Sequence, residues 1–157
     1  MGMMENLAEA TVKPSEYLTF RLGGEEYGID ILKVQEIRGY DAVTRIAHAP
    51  EFLKGVINLR GVIVPIIDLR CRFGQGLTQA TPLHIVIIVQ VGSKPVGLLA
   101  DRVLDIVSLD QSQIQRVPRV VQSARLDFLS GLVTTESAMI ALIDLPNLLS
   151  FDVSEAA

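Results

Sequence analysis

Leu18-Thr19-Phe20-Arg21-Leu22-Gly23, followed by Gly28, Val34 and Ile37, is answered 69 residues further on by Gly92, Gly97, Val103 and Ile106. Phe52-Leu53-Lys54-Gly55-Val56 with Ile67-Asp68-Leu69 returns at an offset of 76 as Phe128-Leu129-Ser130-Gly131-Leu132 with Ile143-Asp144-Leu145. The chain therefore says one thing twice, over repeat units of about 18–69 and 87–145. A unit of this size is too small to bury a large core alone, so the two are expected to share apolar surface about a pseudo-twofold axis. The seam between them is the natural place for a partner.

Within the first unit, Leu18, Phe20 and Leu22 alternate with Thr19 and Arg21, the period of a half-buried strand, and Gly23-Gly24 turns the chain into a second strand over 27–31. Strands follow over 34–38, 56–59 and 62–67, the last two joined by Arg60-Gly61, where glycine accepts the positive φ of a tight hairpin. Pro50 near a first helical position and Gly55 as a stop predict a helical turn over 50–53, and another is expected over 145–149. The second unit repeats the plan with strands over 83–91, 95–101, 103–109, 132–133 and 139–143. Counting from Gly61 to Asp68 and from Gly131 to Asp144, its last hairpin is six residues longer, which predicts an extended tip over 134–138. Ile85-Val86-Ile87-Ile88-Val89 is apolar on both alternating faces and belongs at the shared core. Five short strands per unit with Gly turns predict an all-β fold of two five-stranded barrels. Residues 1–15 read as a mobile arm, 16–149 as one domain of two intertwined subdomains, and 150–157 as a tail.

The composition is 49% hydrophobic with a mean hydropathy of +0.38, so a membrane span has to be tested by run length. The runs 62–67, interrupted by Pro65, and 85–89 fall far below the roughly 20 apolar residues a spanning helix needs. No charged leader with an apolar core precedes Leu18, which predicts a cytoplasmic protein without direct membrane insertion. Cys71 is the single cysteine, which excludes an internal disulfide and any multi-cysteine zinc site. A net charge of -4 without a block of like charges argues against nucleic acid as a partner.

No catalytic constellation appears. His48 and His84 lack metal-ligand spacing, Ser130 is not in a G-x-S-x-G elbow and stands where the first unit has Lys54, and Gly74-Gln75-Gly76 lacks the third glycine of a dinucleotide fingerprint. Asp68 and Asp144, equivalent by the repeat, each follow a buried strand and precede a short turn. They are read as caps accepting backbone N–H bonds, worth roughly 1 kcal/mol, rather than as a catalytic pair. Neither cofactor nor metal is expected.

Two long stretches, Glu26-Tyr27-Gly28-Ile29-Asp30-Ile31-Leu32-Lys33-Val34-Gln35-Glu36-Ile37-Arg38-Gly39 and Asn58-Leu59-Arg60-Gly61-Val62-Ile63-Val64-Pro65-Ile66-Ile67-Asp68-Leu69, resemble the CheW family of bacterial chemotaxis coupling proteins. The likeness covers about 17–149. It implies two five-stranded SH3-like barrels around a shared hydrophobic core, and a non-enzymatic adaptor. Its implied partners are the cytoplasmic hairpin tip of methyl-accepting chemotaxis receptors and the regulatory domain of the histidine kinase CheA, in arrays beneath the inner membrane. The regulatory domain of CheA is similar to CheW, so barrel can pair with barrel. The alternative reading is a CheW-like module of a non-flagellar array with another output.

Carried over by position, the resemblance places receptor contacts at Val34, Glu36, Ile37, Gly55, Arg60, Val103 and Ile106, in an apolar groove that takes a helix. Read without it, the four apolar residues are core positions, Glu36 shares a strand face with Val34 and Arg38 and pairs with the latter, and Arg60 is a free turn residue. Kinase contacts are implied at Ile63, Ile85, Gln115 and Val120. The last two differ from the arginine and phenylalanine of the enteric members, and 72–82 also diverges from the family pattern.

Overall fold

The computed structural model describes residues 14–118 and 124–150. The rest of the expected arm and tail, together with Val120, lies outside the described residues. Ten strands are present among the described residues: β1 Ser15–Leu22, β2 Glu25–Asp30, β3 Val34–Gly39, β4 Leu53–Leu59, β5 Val62–Asp68, β6 Ile85–Val91, β7 Lys94–Ala100, β8 Arg102–Leu109, β9 Leu129–Thr134 and β10 Met139–Ile143. Three four-residue helices, α1 Leu69–Arg72, α2 Ala124–Asp127 and α3 Leu145–Leu148, punctuate them. Every strand expected from the alternation exists, five in each repeat.

The strands form two five-stranded sheets, sheet A in the order β8-β1-β2-β10-β9 and sheet B in the order β3-β6-β7-β5-β4. Neither sheet is built from one repeat. The first hairpin of each repeat, β1-β2 or β6-β7, is exchanged into the sheet formed by the last three strands of the other, and the two orders are identical under the repeat. The exchanged hairpins attach through parallel pairs, Gly28 opposite Leu142 and Ile66 opposite Gly97. The repeated glycines are there for room: a Cβ on Gly28 would lie 2.9 Å from Leu142 Cδ2, and one on Gly97 would lie 2.5 Å from Ile66 Cδ1.

Each sheet curls until the chain beyond one edge strand meets the other edge. Thr44, after β3, exchanges two 2.8 Å backbone bonds with Val56 of β4, and Gln115, after β8, exchanges bonds of 2.8 and 2.9 Å with Leu132 of β9. Closing the edges removes unpaired strand backbone, the usual aggregation hazard of a sheet. The close approach falls on Gly55 and Gly131. Gly55 has φ 150, and a Cβ there would overlap the Thr44 carbonyl. Beside these glycines β4 and β9 both bulge, at Lys54 and Ser130.

One hydrophobic cluster joins the sheets, with Leu18, Phe20, Tyr27 and Ile29 from sheet A meeting Ile67, Ile87, Val89 and Leu98 from sheet B. β6 explains its two-sided apolarity: Ile87 and Val89 enter this shared cluster, while Val86 and Ile88 enter a second one with Ile57, Val64 and Leu99. Each fully buried aliphatic side chain contributes roughly 1.5–3 kcal/mol of transfer free energy, so the shared cluster is what makes the two sheets one folding unit.

Two local expectations are corrected. Residues 50–53 make a turn, with Leu53 N donating to Pro50 O at 3.0 Å, because β4 claims Leu53 at once. The second correction concerns the last hairpin: the equivalent of Gly131 is Gly55, not Gly61, so both hairpins have the same length. The β9–β10 turn is wider than Arg60-Gly61 because its strands end sooner; Thr135 N donates to Ala138 O at 2.8 Å. The aspartate caps form as expected, Asp144 Oδ1 accepting from Asn147 N at 3.1 Å and Asp68 Oδ1 from Cys71 N at 3.4 Å.

Candidate interaction surface

Edge strands β3 and β8 are built alike. Val34 stands opposite Val89 and Ile37 opposite Ile87; Val103 stands opposite Phe20 and Ile106 opposite Leu18, which are the same pairs displaced by the repeat. Both strands bulge just after their valine, at Gln35 and at Leu104. A bulge inserts one residue and breaks the period of two. The bulge therefore puts valine and isoleucine, three apart, on one face, that of Val89 and Ile87 or of Phe20 and Leu18, and turns Glu36 to the other face with Ile88. Val34 and Val103 pack half-buried on the shared cluster, while Ile37 and Ile106, further along the edge strand, are 44% and 52% exposed. The core reading of these four residues therefore fails for the two isoleucines. Their exposure leaves a repeated apolar step, a half-buried valine followed by an exposed isoleucine, along each edge strand at the margin of the shared cluster. Leu32, in the 3-10 turn Ile31–Lys33 that leads into Val34, is a further exposed apolar side chain, 87% exposed, that the alternation does not single out.

Glu36 and Arg60 are brought together. The guanidinium donates to Glu36 Oε1 at 2.6 Å, and Arg38 approaches the other oxygen at 3.8 Å. Arg60 is thus not a free turn side chain: it ties the β4–β5 tip to β3 at the opposite edge of sheet B. The tip is tight because Arg60 and Gly61 have φ 52 and 89, and Asn58 Oδ1 accepts from Gly61 N at 2.8 Å. Gly55 is buried under the closing segment and reaches the surface only through its neighbours. No local sequence signal announces the pair, since its members meet only once the sheet has curled.

The residues carried over as kinase contacts are dispersed in exposure. Ile63 at the start of β5 is 61% exposed, Ile85 is half-buried against the shared cluster opposite Gly39 and Ala100, and Gln115 is exposed in the closing bridge of sheet A. Val120 lies outside the described residues.

Buried polar groups elsewhere serve the scaffold. Asp68 is fully buried and accepts from Thr78 N at 2.8 Å and from Thr78 Oγ1 at 2.7 Å, with Lys54 Nζ at 3.6 Å. Lys54 Nζ also donates to Thr78 O at 2.5 Å, so the bulge residue and the cap together pin the loop after α1. Burial, then the nearby Asp68 and Glu51 carboxylates, push the Cys71 thiol up, which keeps it protonated at neutral pH and weakly nucleophilic. A cleft of about 680 Å³ lined by Tyr40, Arg45, His48, Glu51 and Leu77 contains none of the candidate contact residues. No described helix is long and apolar enough to cross a membrane.

A duplicated pair of curled five-stranded sheets, with an apolar step repeated on the two edge strands, is the architecture of a binding module. The family model that matches residues 16–152 is the CheW-like domain. Over 150 residues the chain is 49% identical to the chemotaxis protein CheW of Klebsiella aerogenes, covering 96% of this chain and 90% of that protein. It is 30% identical over 149 residues to the chemotaxis protein CheW of Bacillus subtilis, covering 94% and 96%. Among solved structures, the scaffolding protein TtCheW from Thermoanaerobacter tengcongensis superposes with a TM-score of 0.79 at 35% identity, covering 88% of this chain and 90% of that one. The chain belongs to the CheW-like family and is a scaffold of bacterial chemotaxis signalling.

Proposed function

We propose that this chain couples the cytoplasmic hairpin tip of methyl-accepting chemoreceptors to the regulatory domain of the histidine kinase CheA, without catalysis, cofactor or metal, in arrays on the cytoplasmic side of the inner membrane. The receptor hairpin lies against the face that carries Val34, Glu36, Ile37 and Arg60 with Val103 and Ile106, and Gly55 lets the sheet close beneath it. The observation that carries this reading is the matched exposure of Ile37 and Ile106, two large apolar side chains left in water at equivalent points of the two edge strands, each beside a half-buried valine on the same face. Ile63, Ile85, Gln115 and Val120 belong to the kinase-facing surfaces, where a barrel meets the related barrel of the regulatory domain.

The test is a titration of the full chain with a receptor cytoplasmic fragment and with the CheA regulatory domain, in buffer containing a chelator. Both are expected to bind. Val34→Glu and Val103→Glu are expected to weaken receptor binding at least tenfold and kinase binding less, because a carboxylate in an apolar contact loses its hydration. Thermal melts of the variants separate this from unfolding. Receptor capture unchanged in both folded variants would remove these positions from the site.

A further inference from the structure

Arg72 ends α1 with its guanidinium carbon 4.8 Å from the centroid of the Phe52 ring and 4.7 Å from that of Phe128. The two rings are repeat equivalents, each placed one residue before its strand, β4 or β9. Each also uses its carbonyl in the same way, Phe52 O accepting from Asp68 N at 2.7 Å and Phe128 O from Asp144 N at 2.8 Å. A group equidistant from two twofold-related rings lies on the plane that bisects them, and that plane contains the axis. Arg72 therefore bridges the two repeats, touching the same residue of each. The repeat puts Leu148, fully buried, at the equivalent place in α3, so one half offers a cation and the other an aliphatic group.

Its neighbours reach across in the same direction. Phe73 stacks on Tyr27 of β2 at 5.2 Å and stands 6.1 Å from Phe128, and Gln75 Nε2 donates to Glu25 Oε1 at 3.3 Å. The segment that leaves sheet B is thereby fastened to sheet A. A planar cation is attracted to the faces of both rings and favours one orientation of each, a directional preference that an aliphatic side chain lacks.

We propose that Arg72 is a positioning residue: held between Phe52 and Phe128, it fixes how sheets A and B are set against each other, and so the relative placement of the Val34–Ile37 and Val103–Ile106 steps that a receptor hairpin must contact together. The receptor half of this statement rests on the function proposed above, whereas the setting of the sheets does not. In the full chain, with Cys71→Ala as background, spin labels are placed at Ser93 in the β6–β7 turn of sheet B and at Glu136 in the β9–β10 turn of sheet A. Arg72→Leu, which copies the residue of the equivalent position, is expected to shift or broaden the distance distribution. It is also expected to lower affinity for the receptor fragment about tenfold while changing affinity for the kinase regulatory domain less than twofold. Arg72→Lys, which keeps the charge and loses the planar stack, is expected to fall between. If Arg72→Leu does not fold, Arg72→Lys and Phe128→Leu provide the measurement. A distance distribution identical to the parent in the folded variants overturns the proposal. If the parent chain fails to bind the receptor fragment, the receptor reading falls, and the distances still decide the role of Arg72.

Discussion

Sheets A and B repeat each other in strand order, register, bulges and glycines, yet differ in where they place charge. In sheet B the β3 acid Glu36 meets Arg60 of the β4–β5 tip at 2.6 Å; the repeat equivalents in sheet A are Asp105 and Glu136, two acids that cannot pair. In sheet B the bulge residue is Lys54, within 3.6 Å of the buried Asp68; in sheet A it is Ser130, and Asp144 caps α3 from a partly exposed position. The backbone devices that close a sheet are thus held in both copies, whereas the polar side chains have diverged. Closing a barrel demands glycine wherever the opposing chain approaches, in either copy. A charge pair answers only to local needs: Asp68 must secure a long loop after α1, through Thr78, and Asp144 has no such loop among the described residues.

The comparison breaks first at the glycines. Gly55→Ala would place a methyl on the Thr44 carbonyl at a backbone φ of 150, so the strain is with main chain and cannot be relieved by a rotamer change. A loss of about 3 kcal/mol or more is expected, a large part of the stability of a domain this size. Gly131→Ala meets instead the Cγ2 methyl of Ile114 at 2.5 Å and the Gln115 carbonyl oxygen at 3.2 Å, so a stiff branched side chain or the strand must shift, but the backbone φ is not in the left-handed region. A smaller loss, about 2 kcal/mol, is expected there. Paired urea melts test the asymmetry; equal losses would mean that the closure of sheet A is as rigid as that of sheet B.

The aspartates come next. Asp68→Ala strands Thr78 N–H, its hydroxyl and the Lys54 ammonium around a fully buried site, and about 3 kcal/mol of destabilisation is expected. Asp144→Ala removes one cap from a half-exposed turn, for about 1 kcal/mol. Hydrogen exchange gives a sharper reading than the melts: the Thr78 amide is expected to lose protection in Asp68→Ala and to keep it in Asp144→Ala.

These contrasts also mark how much could be read from the chain alone. Alternation located all ten strands, and the repeat located the glycines, because face and turn requirements are local. The exchange of β1-β2 for β6-β7 was not legible: alternation tells which face a residue takes and not which strand lies beside it. The parallel pairs that carry the exchange join Gly28 to Leu142 and Ile66 to Gly97, residues far apart in sequence. At the candidate site Val34 and Val103 were legible as a repeated pair, but that Ile37 and Ile106 share their face depends on bulges at Gln35 and Leu104 that no residue type announces. Arg60 was expected to be free because its chain neighbours anchor only the hairpin; its partner comes from across the closed sheet.

The smallest expected change in stability belongs to that arginine. Its side chain is 71% exposed, Glu36 is its one close carboxylate among the described contacts, and an ion pair so wetted contributes no more than about 0.5 kcal/mol. Arg60→Ala is therefore expected to melt with the parent, and Arg60→Glu, which reproduces the two-acid arrangement of sheet A, to melt slightly lower at low salt and equally at high salt. The functional effect is expected to be out of proportion. A planar donor fork can hold Glu36 and still offer N–H groups to a carboxylate or backbone oxygen of the receptor hairpin, which a lysine point charge does not reproduce. Arg60→Ala and Arg60→Lys are thus expected to fold, to bind the kinase regulatory domain, and to fail in receptor-coupled kinase activation in reconstituted arrays. Glu36→Gln separates the two ways this can arise: a defect as deep as that of Arg60→Ala, with the double variant no worse, assigns the effect to the Glu36–Arg60 pair that ties the β4–β5 tip to β3. A mild defect assigns it to the arginine's own contact. Normal activation by both arginine variants would leave Arg60 an ordinary turn residue, and the charge difference between the sheets a matter of stability alone.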